Sequence, residues 1–369
     1  MSGLIQYIPR DSPRQAQIVN HLRRRIVAGE FAPGSKLPSV TQIVREFGAS
    51  NTTVQRALGH LRDSGYIASK KSRGTYVSEN PPHLCHIGVV YGCTEEDSAP
   101  SSYYTAIRSE TIRVSGEEHP EGLAWRFSHC YANQNSAEPK ERAELIHAVE
   151  THRFAGLIFI NEPPQELADT PVMRQKGLPR VLIGLKEGMP CVGGDSSALP
   201  VMALDYLQAR GRSRVAFVVC CNQQQHVAAT CDGLMPLVEA RGMITHRYWI
   251  HGTSLEMRDW AANSVELMMR CGGQDRPDGL VILDDNFVPD VTDALVAAGV
   301  DVPGELEVVA HTNNPYPTRS AVPAVRLSFD VSKVIDTAVD LIGRQIRGEE
   351  VPARIAVKPE LQTEQTRHA

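Results

Sequence analysis

Two short runs gather side chains that could read and hold a polyanion. Ser50-Asn51-Thr52-Thr53-Val54-Gln55-Arg56 brings hydroxyl, amide and guanidinium groups together, and Lys70-Lys71-Ser72-Arg73-Gly74 puts three cations into five residues. Asparagine and glutamine pair with adenine edges and arginine prefers guanine, whereas any Lys or Arg can neutralise phosphate without reading sequence. Signatures of catalysis are missing. No Gly-x-Gly-x-x-Gly follows a strand, and no Gly-x-x-x-x-Gly-Lys-Ser/Thr, Gly-x-Ser-x-Gly or His-Glu-x-x-His occurs. The eight cysteines form no Cys-x-x-Cys pair and show no zinc-like spacing with histidine, so reduced thiols are expected, with no disulfide framework, metal or cofactor.

The charge is distributed unevenly. Residues 1–78 carry twelve Lys and Arg against four acids, a net of +8, which leaves −13 for residues 79–369 of a chain whose total is −5. A basic head on an acidic body points to a polyanion-binding module attached to something else. No run of about 18 apolar residues occurs, which argues against a membrane span. Met1 to Tyr7 lack the basic patch and apolar run of a signal peptide, so a cytoplasmic protein is expected.

Capping signals and periodicity give the elements that must position the two runs. Ser12-Pro13 opens a helix with Ile18, Leu22 and Ile26 on one side, and Pro33-Gly34 turns the chain after it. Ser39 with Gln42 has capping-box spacing and starts a second helix that Gly48 ends. Ser50 caps a third helix, with Val54, Ala57, Leu58 and Leu61 inward and Gly65 at its C′ position. Tyr66–Ser69 and Thr75–Val77 read as a hairpin with the cationic run at its tip. This is a helix-turn-helix followed by a wing: the third helix presents its first turn to the major groove, and the wing lies along the backbone or minor groove.

On these residues the head resembles the GntR-family winged-helix domain. Ile26-Val27-Ala28-Gly29-Glu30-Phe31-Ala32-Pro33-Gly34-Ser35-Lys36-Leu37-Pro38-Ser39 carries the signature between the first two helices, and Ser50 to Leu58 with Arg73-Gly74-Thr75-Tyr76-Val77 carry the recognition helix and wing. The resemblance implies DNA contacts by Ser39, Thr41, Ser50, Asn51, Thr52, Thr53, Gln55, Arg56, Lys71, Arg73 and Gly74. Asn51, Thr41 and Gln55 stand where the family usually has arginine, which implies a site richer in A·T at the contacted positions.

Glu79-Asn80-Pro81-Pro82-His83 reads as an extended linker, its prolines opposing a helix. Beyond it strands and helices alternate: strands at 86–91, 123–127, 157–160, 215–219, 280–283 and 306–309, helices at 103–114, 139–151, 197–209, 228–240 and 288–298. The rhythm restarts after Asp195, giving a doubly wound α/β pattern repeated twice. The expected fold is an N-terminal winged helix-turn-helix, residues 1–78, and a linker, 79–84. A two-lobed α/β domain follows at 85–369, with lobes at roughly 85–192 and 193–312 and a C-terminal segment crossing between them.

From His86 to Glu364 the body resembles the sugar-sensing, periplasmic-binding-protein-like domain of LacI/GalR-type repressors. The resemblance is carried by Arg276-Pro277-Asp278-Gly279-Leu280-Val281-Ile282-Leu283-Asp284-Asp285, by Ala297 to Val309 and by Phe154 to Asn161. A GntR-like head on this body resembles the arabinose-repressor subgroup. It implies ligand contacts by Tyr103, Tyr104, Asn161, Asp284, Asp285 and Phe329, a mix of hydrogen-bonding groups and rings that suits a sugar. Two anchors of the family are altered. Thr230, three residues before Gly233, replaces an arginine, and Ala310-His311-Thr312-Asn313 replaces Gly-aromatic-Asp-Asp. Thr312 and Asn222, with its neighbours Gln223 to His226, become candidate donors and acceptors for an altered ligand; the alternative is a degenerate pocket. Asp285 is open to two roles, as acceptor for a ligand hydroxyl or as cap of the helix starting near Val288.

The expected protein is thus a homodimeric regulator on a palindromic double-stranded operator, released by a small, sugar-like effector and involving no membrane. A solute-binding transport protein and a DNA-binding protein whose body only dimerises are the rivals.

Overall fold

The computed structural model describes residues 13–70, 74–99, 101–116, 124–132, 140–221, 224–270 and 276–362. The head is built from α1 (Pro13–Val27), α2 (Val40–Phe47), α3 (Asn51–Asp63), β1 (Ile67–Lys70) and β2 (Gly74–Val77). Ile18, Leu22 and Ile26 of α1 meet Ile43 of α2 and Val54, Leu58 and Leu61 of α3 in one core. The caps form as their spacing requires. Ser39 accepts from the Gln42 N–H while the Gln42 side chain accepts from the Ser39 N–H, and Gly48 ends α2 at φ +55°. Strands β1 and β2 pair antiparallel from Ile67↔Val77 to Lys70↔Gly74. The segment before α2 joins the wing as well, since the Leu37 N–H donates to the Thr75 carbonyl at 2.9 Å.

The linker is not wholly extended. Pro82–Cys85 forms one helical turn, α4. Proline opposes helix interiors but is tolerated in the first turn, where its missing N–H would have had no partner.

The body contains two six-stranded sheets. β3 (His86–Tyr91), β4 (Arg126–Tyr131), β5 (Gly156–Ile160), β6 (Arg180–Ile183) and β7 (Cys191–Gly194) alternate with α5 (Glu95–Ser98), α6 (Ser102–Val114), α7 (Lys140–Glu150) and α8 (Pro171–Arg174). Then come α9 (Ala198–Ala209), β8 (Val215–Cys220), α10 (Gln224–Glu239), β9 (Ile250–Thr253), α11 (Arg258–Arg270), β10 (Gly279–Ile282) and α12 (Val288–Ala297). β11 (Glu307–Asn314), β12 (Val325–Asp330), α13 (Val331–Ile346), β13 (Arg354–Val357) and β14 (Glu360–Gln362) finish the chain. The sheet orders are β13-β7-β6-β5-β3-β4 and β14-β12-β11-β10-β8-β9. Among the described ladders of these two sheets only β12–β14 is antiparallel.

Every residue of β5 and of β10 is buried, as strands covered on both faces should be. Along β8 the side chains alternate: Val215, Phe217 and Val219 join one core with α9 and α10, while Ala216 and Val218 join another with α11 and α12. By contacts the chain divides into two compact units. One is residues 1–91, 113–159 and 163–180, and the other is 92–112, 160–162 and 181–369.

Two further expectations are corrected. The strand expected at 123–127 is β4, at Arg126–Tyr131: the apolar run Leu123-Ala124-Trp125 precedes it in sequence, while β4 itself carries the polar Arg126, Ser128 and His129 and so little hydropathy signal. The strand expected at 306–309 continues to Asn314, so His311, Thr312 and Asn313 lie within β11. Polar residues in a buried strand carry no hydropathy signal.

Candidate nucleic-acid interface and ligand site

In the head, Ser50 caps α3: its hydroxyl accepts from the Thr53 N–H at 3.1 Å and lies 2.8 Å from the Thr53 hydroxyl. Ser39, Ser50 and Thr53 therefore spend their hydroxyls on starting helices. Thr41 on α2 and Asn51, Thr52, Gln55 and Arg56 on α3 are exposed, and the last four share the first turns of that helix. A helix N-terminus adds a positive dipole end to these groups. Gly74 is exposed at φ +109°, with Lys36 Cε only 3.1 Å from where a Cβ would stand. Lys36 is thereby brought beside the wing, a cation missed by the sequence reading because its pairing with Tyr76 is non-local. Arg62 ties α3 to the wing through Ser69 at 2.8 Å. Lys71 and Arg73 lie outside the described residues.

A second group of predicted residues comes together within the second compact unit. Asn161, at the end of β5 and at φ +62°, donates its amide to the Tyr104 hydroxyl at 3.1 Å. The Tyr104 and Tyr103 rings lie 6.3 Å apart, and burial raises the pKa of both phenols, so they remain neutral donors. Ser102, next in the chain, donates to Asp285 Oδ1 at 2.8 Å. Asp285 is 2% exposed, and its other oxygen accepts from Asn313 Nδ2 at 2.8 Å. The capping role belongs to the neighbour: Asp284 accepts from the Asn286 N–H at 2.9 Å ahead of α12.

Beyond Asp285 stands His311, whose ring meets that of Phe329 edge-on at 5.5 Å. Phe329 in turn fills the space a side chain at Gly194 would need, with its Cδ1 2.8 Å from the Cβ position. Burial lowers the His311 pKa and raises that of Asp285, while each charge partly opposes the other's shift. Both His311 ring nitrogens and the Thr312 hydroxyl are buried without a hydrogen-bond partner among the described residues. Such groups are costly to leave unsatisfied. Thr230 sits on α10 with its hydroxyl 3.8 Å from the Cys221 thiol. Cys220, beside Asp284, is pushed up to about 12 by burial and remains a thiol. Asn222 lies outside the described residues.

Ser102, Asn286, His311 and Asn313 were not singled out as site residues. The altered tetrapeptide Ala310–Asn313 was the one sequence signal for the last two. A separate hollow of about 500 Å³, lined by Lys186, Met189, Cys191, Val351 and Arg354 among others, contains none of the predicted residues. Among the described residues no group of three or more His, Cys, Asp or Glu is placed to hold a metal ion. No described helix is long and apolar enough to cross a membrane.

Comparison with known proteins finds a match in each of two regions of the chain. The profile of bacterial regulatory proteins of the gntR family matches residues 14–77, and that of the periplasmic binding protein-like domain matches residues 204–366. The arabinose metabolism transcriptional repressor of Geobacillus stearothermophilus is 22% identical over 368 residues, covering 95% of this chain and 96% of that protein. A transcriptional regulator CelR–cellobiose complex superposes with a TM-score of 0.59 at 14% identity, over 94% of this chain and 98% of the other. A transcriptional regulator LacI from Bacillus cereus subsp. cytotoxis gives 0.58 at 17% identity, over 76% and 97%. The two structural likenesses establish the fold.

Proposed function

We propose, for a chain that carries a GntR-family DNA-binding head and a periplasmic-binding-protein-like sensor body, that it is a transcription repressor released by a small hydroxylated effector. The exposed first turns of α3, with Asn51, Thr52, Gln55 and Arg56 outward beside the wing, carry the DNA-binding half of the reading. A single small head offers too little surface for high specificity, so the protein acts as a homodimer on a palindromic operator. It works in the cytoplasm and is a regulator rather than an enzyme. The similar arabinose repressor supports a role in carbohydrate metabolism.

The effector reading rests on the unsatisfied His311 nitrogens, which lie near Asp285, the carboxylate that Ser102 ties to the start of the helix carrying Tyr103 and Tyr104. A neutral imidazole offers one donor and one acceptor, which suits a sugar or polyol hydroxyl. Neither Lys nor Arg stands among the residues named there, so a phosphorylated or acidic ligand would meet Asp284 and Asp285 without compensation. Binding rearranges the body and changes the spacing of the paired heads, with a coupling of about 1–3 kcal/mol.

One observation favours the rival in which the body only dimerises. The pairs Asn161–Tyr104 and Ser102–Asp285–Asn313 already satisfy one another. A thermal-shift panel of neutral sugars, polyols and their phosphorylated forms separates the two. A rise in Tm confined to neutral compounds supports the sensor; no rise with any of them supports the rival.

A further inference from the structure

The basic character of the head is not all directed at DNA. Arg23, one of three consecutive arginines on α1, is 7% exposed and lies over the Tyr66 ring, 5.5 Å from its centroid. Tyr66 is itself fully buried, and its hydroxyl donates to the Thr151 carbonyl at 2.7 Å and the His152 carbonyl at 2.5 Å. Those carbonyls stand at the end of α7, in the body. There the His152 N–H donates to Val149 and the Arg153 N–H to Ala148, a Schellman closure that puts His152 at φ +53°. The closure turns the chain so that two carbonyls project beyond the helix at its negative dipole end. Burial lowers the His152 pKa, and the charges of Arg23 and of the exposed Arg24 lower it further.

Further contacts join the same place. The His83 ring, on α4, stacks on Tyr66 at 6.0 Å and 12°. Gln175 reaches His152 Nδ1 at 3.3 Å. Pro82 packs against Gly65, 3.4 Å from where a Cβ would stand. Head and α7 also fall in one compact unit. Meanwhile Asn51, Thr52, Gln55 and Arg56 remain exposed, so this contact leaves the DNA-facing residues of α3 uncovered.

We propose that the C-terminal end of α7 is a seat for the DNA-binding head, with the Tyr66 hydroxyl as its tie, so that the head moves with this part of the body rather than on a free tether. The seat does not depend on which effector binds. Its use for regulation rests on the repressor reading, because a head fixed to the body converts any rearrangement of the body into a change of head position. A flexible linker would dissipate the same movement.

The test is backbone 15N relaxation on the full chain without DNA or ligand, so its outcome is separate from that of the repressor reading. Head amides of the wild type are expected to share the rotational correlation time of the body. Tyr66→Phe keeps the ring and removes the tie; Arg24→Glu, an exposed change, sets a negative charge against the carbonyl end of α7. In each variant the head amides should show a several-fold shorter correlation time while the body amides do not change. Head amides that already tumble faster than the body in the wild type overturn the proposal. So does a wild-type correlation time retained in Tyr66→Phe or, should that variant not fold, in Arg24→Glu.

Discussion

Replacing Asp285 by asparagine and by alanine separates what its charge does from what its shape does. The carboxylate is buried, accepts from Ser102 and Asn313, and has neutral alternatives on only one side. The Ser102 hydroxyl also lies 2.9 Å from Asn286 Oδ1, so it can turn there. The Asn313 amide, in a residue 1% exposed, has only Asp285 as its described side-chain acceptor. Asp285→Ala leaves that donor unsatisfied, at about 1–3 kcal/mol, and loses a hydrogen bond to a charged group, for a total of roughly 2–4 kcal/mol. Asp285→Asn can point its carbonyl at Asn313 and its amide at Ser102. It exchanges a charged acceptor for a neutral one while removing a buried charge, so stability should change by no more than about 1 kcal/mol. The sign with pH follows from burial. A folded pKa above the unfolded one means that Asp285 contributes stability at low pH that is lost as pH rises through the folded value, and Asp285→Asn should abolish that dependence. Urea denaturation at pH 7 measures both variants. Equal, large losses for asparagine and alanine would show that the carboxylate charge is structural, and the ligand role would fall with it. If asparagine folds normally, any sugar that raises the wild-type Tm should bind it less tightly by about 1.5–3 kcal/mol. An undiminished shift would refute the contact.

For the head, Arg56→Ala should weaken binding to all duplexes alike and reduce the slope of log affinity against log salt by about 0.9, whereas Asn51→Ala should cost about 1–3 kcal/mol only at the preferred site. Competition titrations between about 50 and 200 mM salt distinguish these outcomes, and a salt response unchanged in Arg56→Ala would remove it from the phosphate contacts. Ser50→Ala deletes the cap of α3 and should cost about 1 kcal/mol in folding, read from the denaturation midpoint. His83 and His86 are both held at about 4 by burial, below the ordinary 6.5, so the unfolded chain binds more protons between those values. Stability is therefore present above pH 6.5 and lost as pH falls toward 4, by about 2 kcal/mol for each histidine at pH 5; a flat urea midpoint from pH 7 to 5 would contradict this.

The head was legible because its signals are local. A capping box needs only Ser39 and Gln42, a helix end needs only Gly48, and the apolar steps Ile18, Leu22 and Ile26 fix which side of α1 is buried. What escaped was pairing over distance. Lys36 reaches the wing through a bridge to Tyr76, and Arg23, one of the twelve cations counted in the basic head, is buried over Tyr66. Charge in a sequence says how many cations there are, and only packing says which way they point. The body shows the same division. Buried parallel strands such as Leu157–Ile160 announce themselves by continuous hydrophobicity, whereas the second half of β11 does not, because His311, Thr312 and Asn313 are polar. The burial of Asn313 becomes intelligible with Asp285, which follows β10 and supplies its amide with an acceptor. A hydrogen-bonding site is a set of satisfied and unsatisfied atoms brought together by register. That set becomes visible only when β8, β10 and β11 lie side by side.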